Sequence, residues 1–141
     1  MKNIKIAIIG TDTIRVVHGK IFNDLCGVDV GGLADPDEQR LKGAGKELGV
    51  SKLYSDYNKM LEDDSLDAVS IVTPDFLHYE PVVAVAKAGK DILVEKPLAT
   101  SFEQAKGMRD EVKKNGVKLM VNYNARWKSS YWGVKKAIQE G

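Results

Sequence analysis

A chain of 141 residues is one domain of ordinary size, long enough to bury a core, and its 43% hydrophobic and 29% charged content is that of a globular protein. Its 21 basic against 20 acidic residues leave no basic stripe for nucleic acid and no acidic excess for disorder, and one cysteine, Cys26, excludes an internal disulfide framework and fits a reducing compartment. No apolar run reaches about 18 residues, and the run after Met1-Lys2-Asn3 is too short for a secretion signal; the cytoplasm is the expected compartment, with no membrane partner.

Short apolar runs alternate with amphipathic stretches along the whole chain. Ile4 to Ile9 is a β-branched run closed by Gly10, as a buried parallel strand should be. Val28 to Ala34 is a second strand, weakened by Gly31 and Gly32. Asp35-Pro36-Asp37-Glu38 starts a helix: a carboxylate cap, proline at the first helical position and acids in the first turn. Leu41, Ala44 and Leu48 keep helical spacing, and Gly49 ends it. Lys52 to Tyr54 is a short third strand. Ala68 to Val72 is the fourth, ended by Thr73-Pro74, and Leu77 to Ala88 reads as a helix stopped by Gly89. Ile92 to Val94 is the fifth strand, ended by Glu95-Lys96-Pro97. Thr100 with Glu103 forms a capping box for a helix whose inward stripe is Phe102, Ala105, Met108 and Val112, with Asn115-Gly116 at its end. Leu119 to Val121 is the sixth strand, and a last helix runs from about Tyr131 to Glu140.

Strands alternating with helices imply an α/β fold: a doubly wound parallel sheet in a single domain, with helices on both faces. Such sheets bind ligands beyond the carboxyl ends of their strands, where strand order reverses. Each cluster of polar residues in this chain lies just after a strand.

Gly10-Thr11-Asp12-Thr13-Ile14-Arg15 stands where a dinucleotide fingerprint would, after strand one and before a helix. Of the three expected glycines only the first is present. Asp12 takes the place where backbone should approach a pyrophosphate, and Arg15 the place where helix packs on strand. Two readings stay open. Gly10 ends a strand and Asp12 or Thr13 caps a helix, or Gly10, Asp12, Thr13 and Ile14 contact a cofactor. Asp35 ends strand two, 25 residues after Gly10, near the separation at which an acid accepts from a ribose 2′-hydroxyl. A carboxylate there disfavours a 2′-phosphate, so NAD is expected over NADP. The alternative makes Asp35 only the cap before Pro36.

Thr73, Pro74 and His78 follow strand four and can shape a cofactor floor, although a histidine on a helix more often makes one local hydrogen bond. Glu95-Lys96-Pro97 follows strand five. A lysine desolvated there would suit proton exchange with a hydroxyl or carbonyl; the alternative is a Glu–Lys surface pair of little worth. After strand six, Asn122-Tyr123-Asn124-Ala125-Arg126-Trp127 mixes hydrogen-bonding groups with aromatics, as a pocket rim does. Trp127 could equally cover the end of the sheet.

Together these residues resemble the Gfo/Idh/MocA oxidoreductase family. Ile14 and His18 stand where that family has its first-helix isoleucine and histidine. Ala34-Asp35-Pro36-Asp37 resembles its second-strand terminus, and Thr73-Pro74 with His78 its T-P-x-x-x-H segment. Ala88-Gly89-Lys90-Asp91-Ile92-Leu93-Val94-Glu95-Lys96-Pro97-Leu98-Ala99 is similar to its A-G-K-x-V-x-x-E-K-P-L-A signature. Asn124-Ala125-Arg126-Trp127 resembles its N-x-R-[FW] element.

The resemblance implies a Rossmann-type fold and reversible oxidation of a secondary alcohol, often on a sugar or cyclitol, with NAD or NADP. It implies Lys96 as active-site lysine, Glu95 near the nicotinamide end, a cis bond before Pro97, and Arg126 and Trp127 near the nicotinamide ring. Residues 1–125 would be the nucleotide-binding domain and 126–141 the start of a connection to a second domain, absent from this sequence. That domain carries substrate contacts and commonly a dimer interface, so a homo-oligomer is the implied assembly. Asp12 and Arg15 depart from the family's glycines, and neither His18 nor His78 matches its catalytic Asp/His pair. Two further functions compete: a nucleotide-binding or regulatory module without catalysis, favoured by Asp12 and Arg15, and a subunit completed by a partner chain over Tyr131, Trp132 and Val134.

Overall fold

In a computed structural model, which describes residues 3–11 and 13–141 and leaves out the side chains of 13–16, six strands form one parallel sheet. The elements alternate along the chain: β1 (Ile4–Ile9), α1 (Thr13–Asp24), β2 (Val28–Ala34), α2 (Glu38–Leu48), β3 (Leu53–Tyr54), α3 (Tyr57–Leu61), β4 (Ala68–Ile71), α4 (Tyr79–Lys87), β5 (Asp91–Glu95), α5 (Phe102–Asn115), β6 (Leu119–Asn122) and α6 (Ser129–Glu140). Strand order is β3-β2-β1-β4-β5-β6. The chain winds outward from β1 to β3, returns to the middle, and winds the other way through β4 to β6. The reversal opens a crevice between the carboxyl ends of β1 and β4.

Period-two alternation in the central strands feeds two cores. Ala7 and Ile9 face one side with Val69, Ile71, Val82, Val85 and Met108, under α4 and α5. Ile8 faces the other with Leu33, Leu41, Ala44 and Leu48, against α2. Both faces of the sheet are therefore covered, which is why the inner strands read as continuous apolar runs.

The glycine pair in β2 has a structural use. Ile6 pairs with Val30 but Ala7 pairs with Gly32, so the register shifts past Gly31. A Cβ on Gly31 would stand 2.7 Å from the Cδ2 methyl of the buried Leu66, so a larger residue there would require that side chain to shift.

Several expected boundaries move. The cap of α2 is Asp37, which accepts from the backbone N–H groups of Gln39 and Arg40, and Pro36 precedes the cap instead of opening the helix. Asp35 is not the cap because its oxygens are bonded elsewhere. Ser101 caps α5, accepting from the Gln104 N–H, while the Thr100 hydroxyl donates to the Gln104 side chain. Phe102, the first residue of α5, is 76% exposed and does not join the inward stripe, and Met108 is the buried residue of that helix. The stretch expected as one helix from Leu77 divides into a 3-10 turn, Asp75–Leu77, and α4. The five-residue α3 has no sequence periodicity of its own and is fixed by packing, with Met60 and Leu61 buried. Among the described residues, no helix is long and apolar enough to cross a membrane.

Candidate active site

β1 ends at Gly10, whose φ of +96° only glycine adopts without strain. A Cβ there would stand 3.0 Å from the Val72 carbonyl and the Thr73 nitrogen, so the missing side chain lets the first turn lie directly on the end of β4. The next N–H, of Thr11, donates to Asp35 Oδ2 at 2.7 Å. The Asp37 N–H donates to the other oxygen, Oδ1, at 2.8 Å. Asp35 is therefore a buried carboxylate, 7% exposed, fixed between the first turn and the start of α2. Each oxygen retains a lone pair.

Gly10, Thr11, Asp35, Pro36, Thr73 and Pro74 share one cleft of about 440 Å³ at the switch point, walled further by Arg40, Ser55, Tyr57 and the apolar pair Phe76 and Leu77. The hydroxyls of Thr11 and Thr73 are buried and have no hydrogen-bond partner among the described residues. Buried polar atoms are nearly always paired, so two orphans in one cleft mark a place shaped for a polar ligand. Burial first, then the Glu80 and Asp56 carboxylates, holds the Tyr57 phenol above its ordinary range and keeps it a neutral donor. The Arg40 backbone N–H, followed by its guanidinium, holds the Asp37 carboxyl below its ordinary range.

A second group sits beyond β4, β5 and β6. Glu95 is buried at the end of β5, and β5 pairs with β6 so that Glu95 lies beside Asn122. Asn122 Nδ2 donates to Glu95 Oε1 at 2.6 Å, and His18 Nε2 meets the same oxygen at 3.0 Å. The Lys96 N–H donates to Oε2 at 3.2 Å, and His18 Nδ1 pairs with Ser70 Oγ at 2.9 Å. Glu95 is thus bonded inward to α1 and β6, with Ser70 of β4 reached through His18, and is no partner in a surface ion pair. Lys96 is exposed, and the burial expected around its amine is not supplied by this chain. The Lys96–Pro97 bond is cis, as the resemblance implied.

His78 joins the two groups. It is 1% exposed, with Nε2 at 3.0 Å from the Thr73 carbonyl and Nδ1 at 2.8 Å from the Pro97 carbonyl. Both ring nitrogens are taken by main chain, one on the cleft floor and one beside Lys96. Arg126 and Trp127 lie exposed on a 3-10 turn, Asn124–Trp127, after β6. The expected contacts at Asp12, Thr13 and Ile14, and the departure at Arg15, lie outside the described side chains. Arg40, Ser55, Tyr57 and Ser70 belong to these groups without lying in any of the sequence motifs. Arg40, three residues after the cap Asp37, had a local signal, whereas the others reach their sites only through sheet order.

The model of an oxidoreductase family with an NAD-binding Rossmann fold matches residues 4–123. The chain belongs to the Gfo/Idh/MocA oxidoreductase family. Among its relatives, it is 33% identical over 139 residues to "scyllo-inositol 2-dehydrogenase (NAD(+))" of Bacillus subtilis, covering 98% of this chain and 41% of that protein. An oxidoreductase from Agrobacterium radiobacter, solved with NAD+, L-tartaric acid and magnesium, superposes with a TM-score of 0.93 at 28% identity, over 99% of this chain and 41% of that one. The scyllo-inositol dehydrogenase of Lactobacillus casei, solved with NAD(H) and scyllo-inositol, gives 0.91 at 25% identity, over 99% of this chain and 42% of that one. The chain thus spans about two fifths of the length of these Gfo/Idh/MocA proteins.

Proposed function

We propose that this chain binds NAD as the nucleotide-binding part of a dehydrogenase acting on a secondary alcohol of a sugar or cyclitol. The observation that carries the reading is the cleft at the switch point, where a buried acceptor, a glycine without room for a Cβ and two unpartnered hydroxyls converge. In this reading Asp35 accepts from a ribose hydroxyl. The Thr11 and Thr73 hydroxyls donate into the cleft, and Gly10, Asp12, Thr13 and Ile14 are the residues proposed to contact the cofactor's pyrophosphate. The cofactor, when bound, supplies the hydride chemistry. Lys96 exchanges a proton with the substrate hydroxyl. Glu95, bonded to the Lys96 N–H, holds that turn in place, and His78 ties it to the cleft floor through Pro97 and Thr73. Arg126 and Trp127 border the nicotinamide side.

Residues 1–125 are proposed as the nucleotide domain and 126–141 as a connection to a substrate-binding and dimerising domain. The exposure of Trp127, Tyr131, Trp132 and Val134, and of Lys96 itself, supports this, because an exposed apolar stripe of that size calls for cover. The test is a fluorescence titration of the chain with NADH and NADPH, beside Asp35→Ala. Micromolar NADH binding, weaker NADPH binding and a narrowed gap in the variant support the reading. Absence of binding to either nucleotide at millimolar concentration refutes it and favours a module without catalysis.

A further inference from the structure

α5 leaves one flank uncovered. It crosses from β5 to β6, and β6 is the outermost strand, so no further strand of the sheet lies beyond it. A hollow of about 450 Å³ runs along that flank, and Leu98, Ala105, Met108, Val112 and Leu119 give it an apolar lining. Met108 is fully buried beneath it, whereas Phe102, at the start of the helix, stands out into solvent. Every ionised residue lining the hollow is a cation: Lys106, Arg109 and Lys113, spaced along one face of α5. Arg109 is bonded to Asp110, the next residue, which does not line the hollow. Among the described residues neither Lys106 nor Lys113 is in an ion pair, and Asp110 attracts both only at longer range. The hollow shares no lining residue with the cleft at the switch point.

We propose that this hollow seats an amphipathic helix of a partner protein, apolar along the stripe that enters it and acidic along the edge that meets Lys106, Arg109 and Lys113. The apolar lining suits any nonpolar group, and the cations decide among the candidates. Lys106 and Lys113 stand two helical turns apart, about 10 Å along the axis. The single carboxylate of a fatty acid answers one of them. Carboxylates at matching spacing on a helix laid along α5 answer both, with a third between them for Arg109. A bilayer surface takes protruding apolar side chains, whereas the apolar surface here is a hollow with only Phe102 standing out. A second copy related by a two-fold axis would set the patch against itself, cation on cation. Phe102 is the aromatic anchor that such a helix covers. The exposed charges select the partner and its direction more than they add affinity.

The probe is a fluorescein-labelled synthetic helix of about 18 residues, with leucines along one stripe and glutamates flanking it, beside a copy with lysine at every glutamate. Both are titrated by fluorescence anisotropy against wild type, Phe102→Ser and the double variant Lys106→Glu, Lys113→Glu; all three substituted side chains are exposed, and thermal unfolding checks that each variant folds. The acidic helix should bind wild type about 10-fold more tightly than the basic one, and the double variant should reverse that order. Phe102→Ser should weaken the acidic helix roughly 5-fold or more. Raising salt from about 50 mM to about 500 mM should narrow the gap between the two helices. Equal binding of the two helices, an order that the double variant leaves unchanged, or no binding of the acidic helix at about 1 mM would overturn the proposal. Two parallel measurements test the other occupants. Binding of wild type to phosphatidylserine vesicles that the double variant loses would assign the surface to a membrane instead, and a dimer in sedimentation that Phe102→Ser dissolves would assign it to a second copy; either result overturns the partner helix.

Discussion

Gly10→Ala tests the geometry on which the whole site depends. At φ +96° an alanine meets backbone strain of roughly 1–3 kcal/mol. Its Cβ would also stand 3.0 Å from the Val72 carbonyl and the Thr73 nitrogen, main-chain atoms of the sheet that cannot rotate away. Forcing them apart costs on the order of 1–3 kcal/mol more. The total is about 4 kcal/mol, or about 12 °C in melting temperature for a chain of this size. Gly49→Ala provides the control. Gly49 is also left-handed, at φ +69°, but a Cβ there meets nothing within 4 Å. It should cost only about 1 kcal/mol of strain. The loss of unfolded-state freedom is the same in both variants and cancels. Urea unfolding of the two variants beside wild type measures the difference directly. If they lie within about 0.5 kcal/mol of each other, the first turn does not rest on the end of β4 as described, and the cleft would need another construction.

Three further outcomes follow from named contacts. Thr73→Val removes a buried hydroxyl without a partner, so the unliganded chain should melt at the same or higher temperature while NADH binding weakens about 5- to 10-fold; a lower melting temperature would mean that the hydroxyl is paired within the chain. His18→Ala, Glu95→Ala and the double variant form a cycle in urea unfolding, with an expected coupling of about 1–3 kcal/mol from the buried 3.0 Å contact; a coupling near zero would separate the two groups. Asp63 accepts from Lys52 and from Ser65, and these bonds, the lysine's first, hold its carboxyl well below the usual carboxylate range. A carboxyl depressed by folding contributes stability above its unfolded value, near 3.9, and loses it as pH falls through the folded value. Asp63→Asn should therefore be less stable than wild type at neutral pH. The gap should close progressively below about pH 4, and a gap independent of pH would reject the ion pair as its source.

Much of the fold was legible because buried parallel strands need continuous apolar runs. Ile4–Ile9 and Val28–Ala34 are bounded in the structure as the residues alone imply. Gly49 and Gly116 end their helices in left-handed conformation, a local requirement visible without tertiary information. Caps were less legible. Asp35, Asp37, Thr100 and Ser101 are all capable residues, and the choice among neighbours was made by what else each side chain could reach. Asp35 was drawn away by the Thr11 N–H, a partner 24 residues distant.

The site divides along the same line. By itself the sequence determined that the polar clusters follow strands, that Asp35 ends β2, and that Glu95-Lys96-Pro97 ends β5, because strand termini are set by local pattern. Only the tertiary structure decided that His18, Ser70, Glu95 and Asn122, from four elements, form one buried group, and that His78 bridges Thr73 to Pro97. Those contacts depend on which strands lie side by side, and strand order is settled by packing two helix layers on one sheet. No spacing along the chain encodes it.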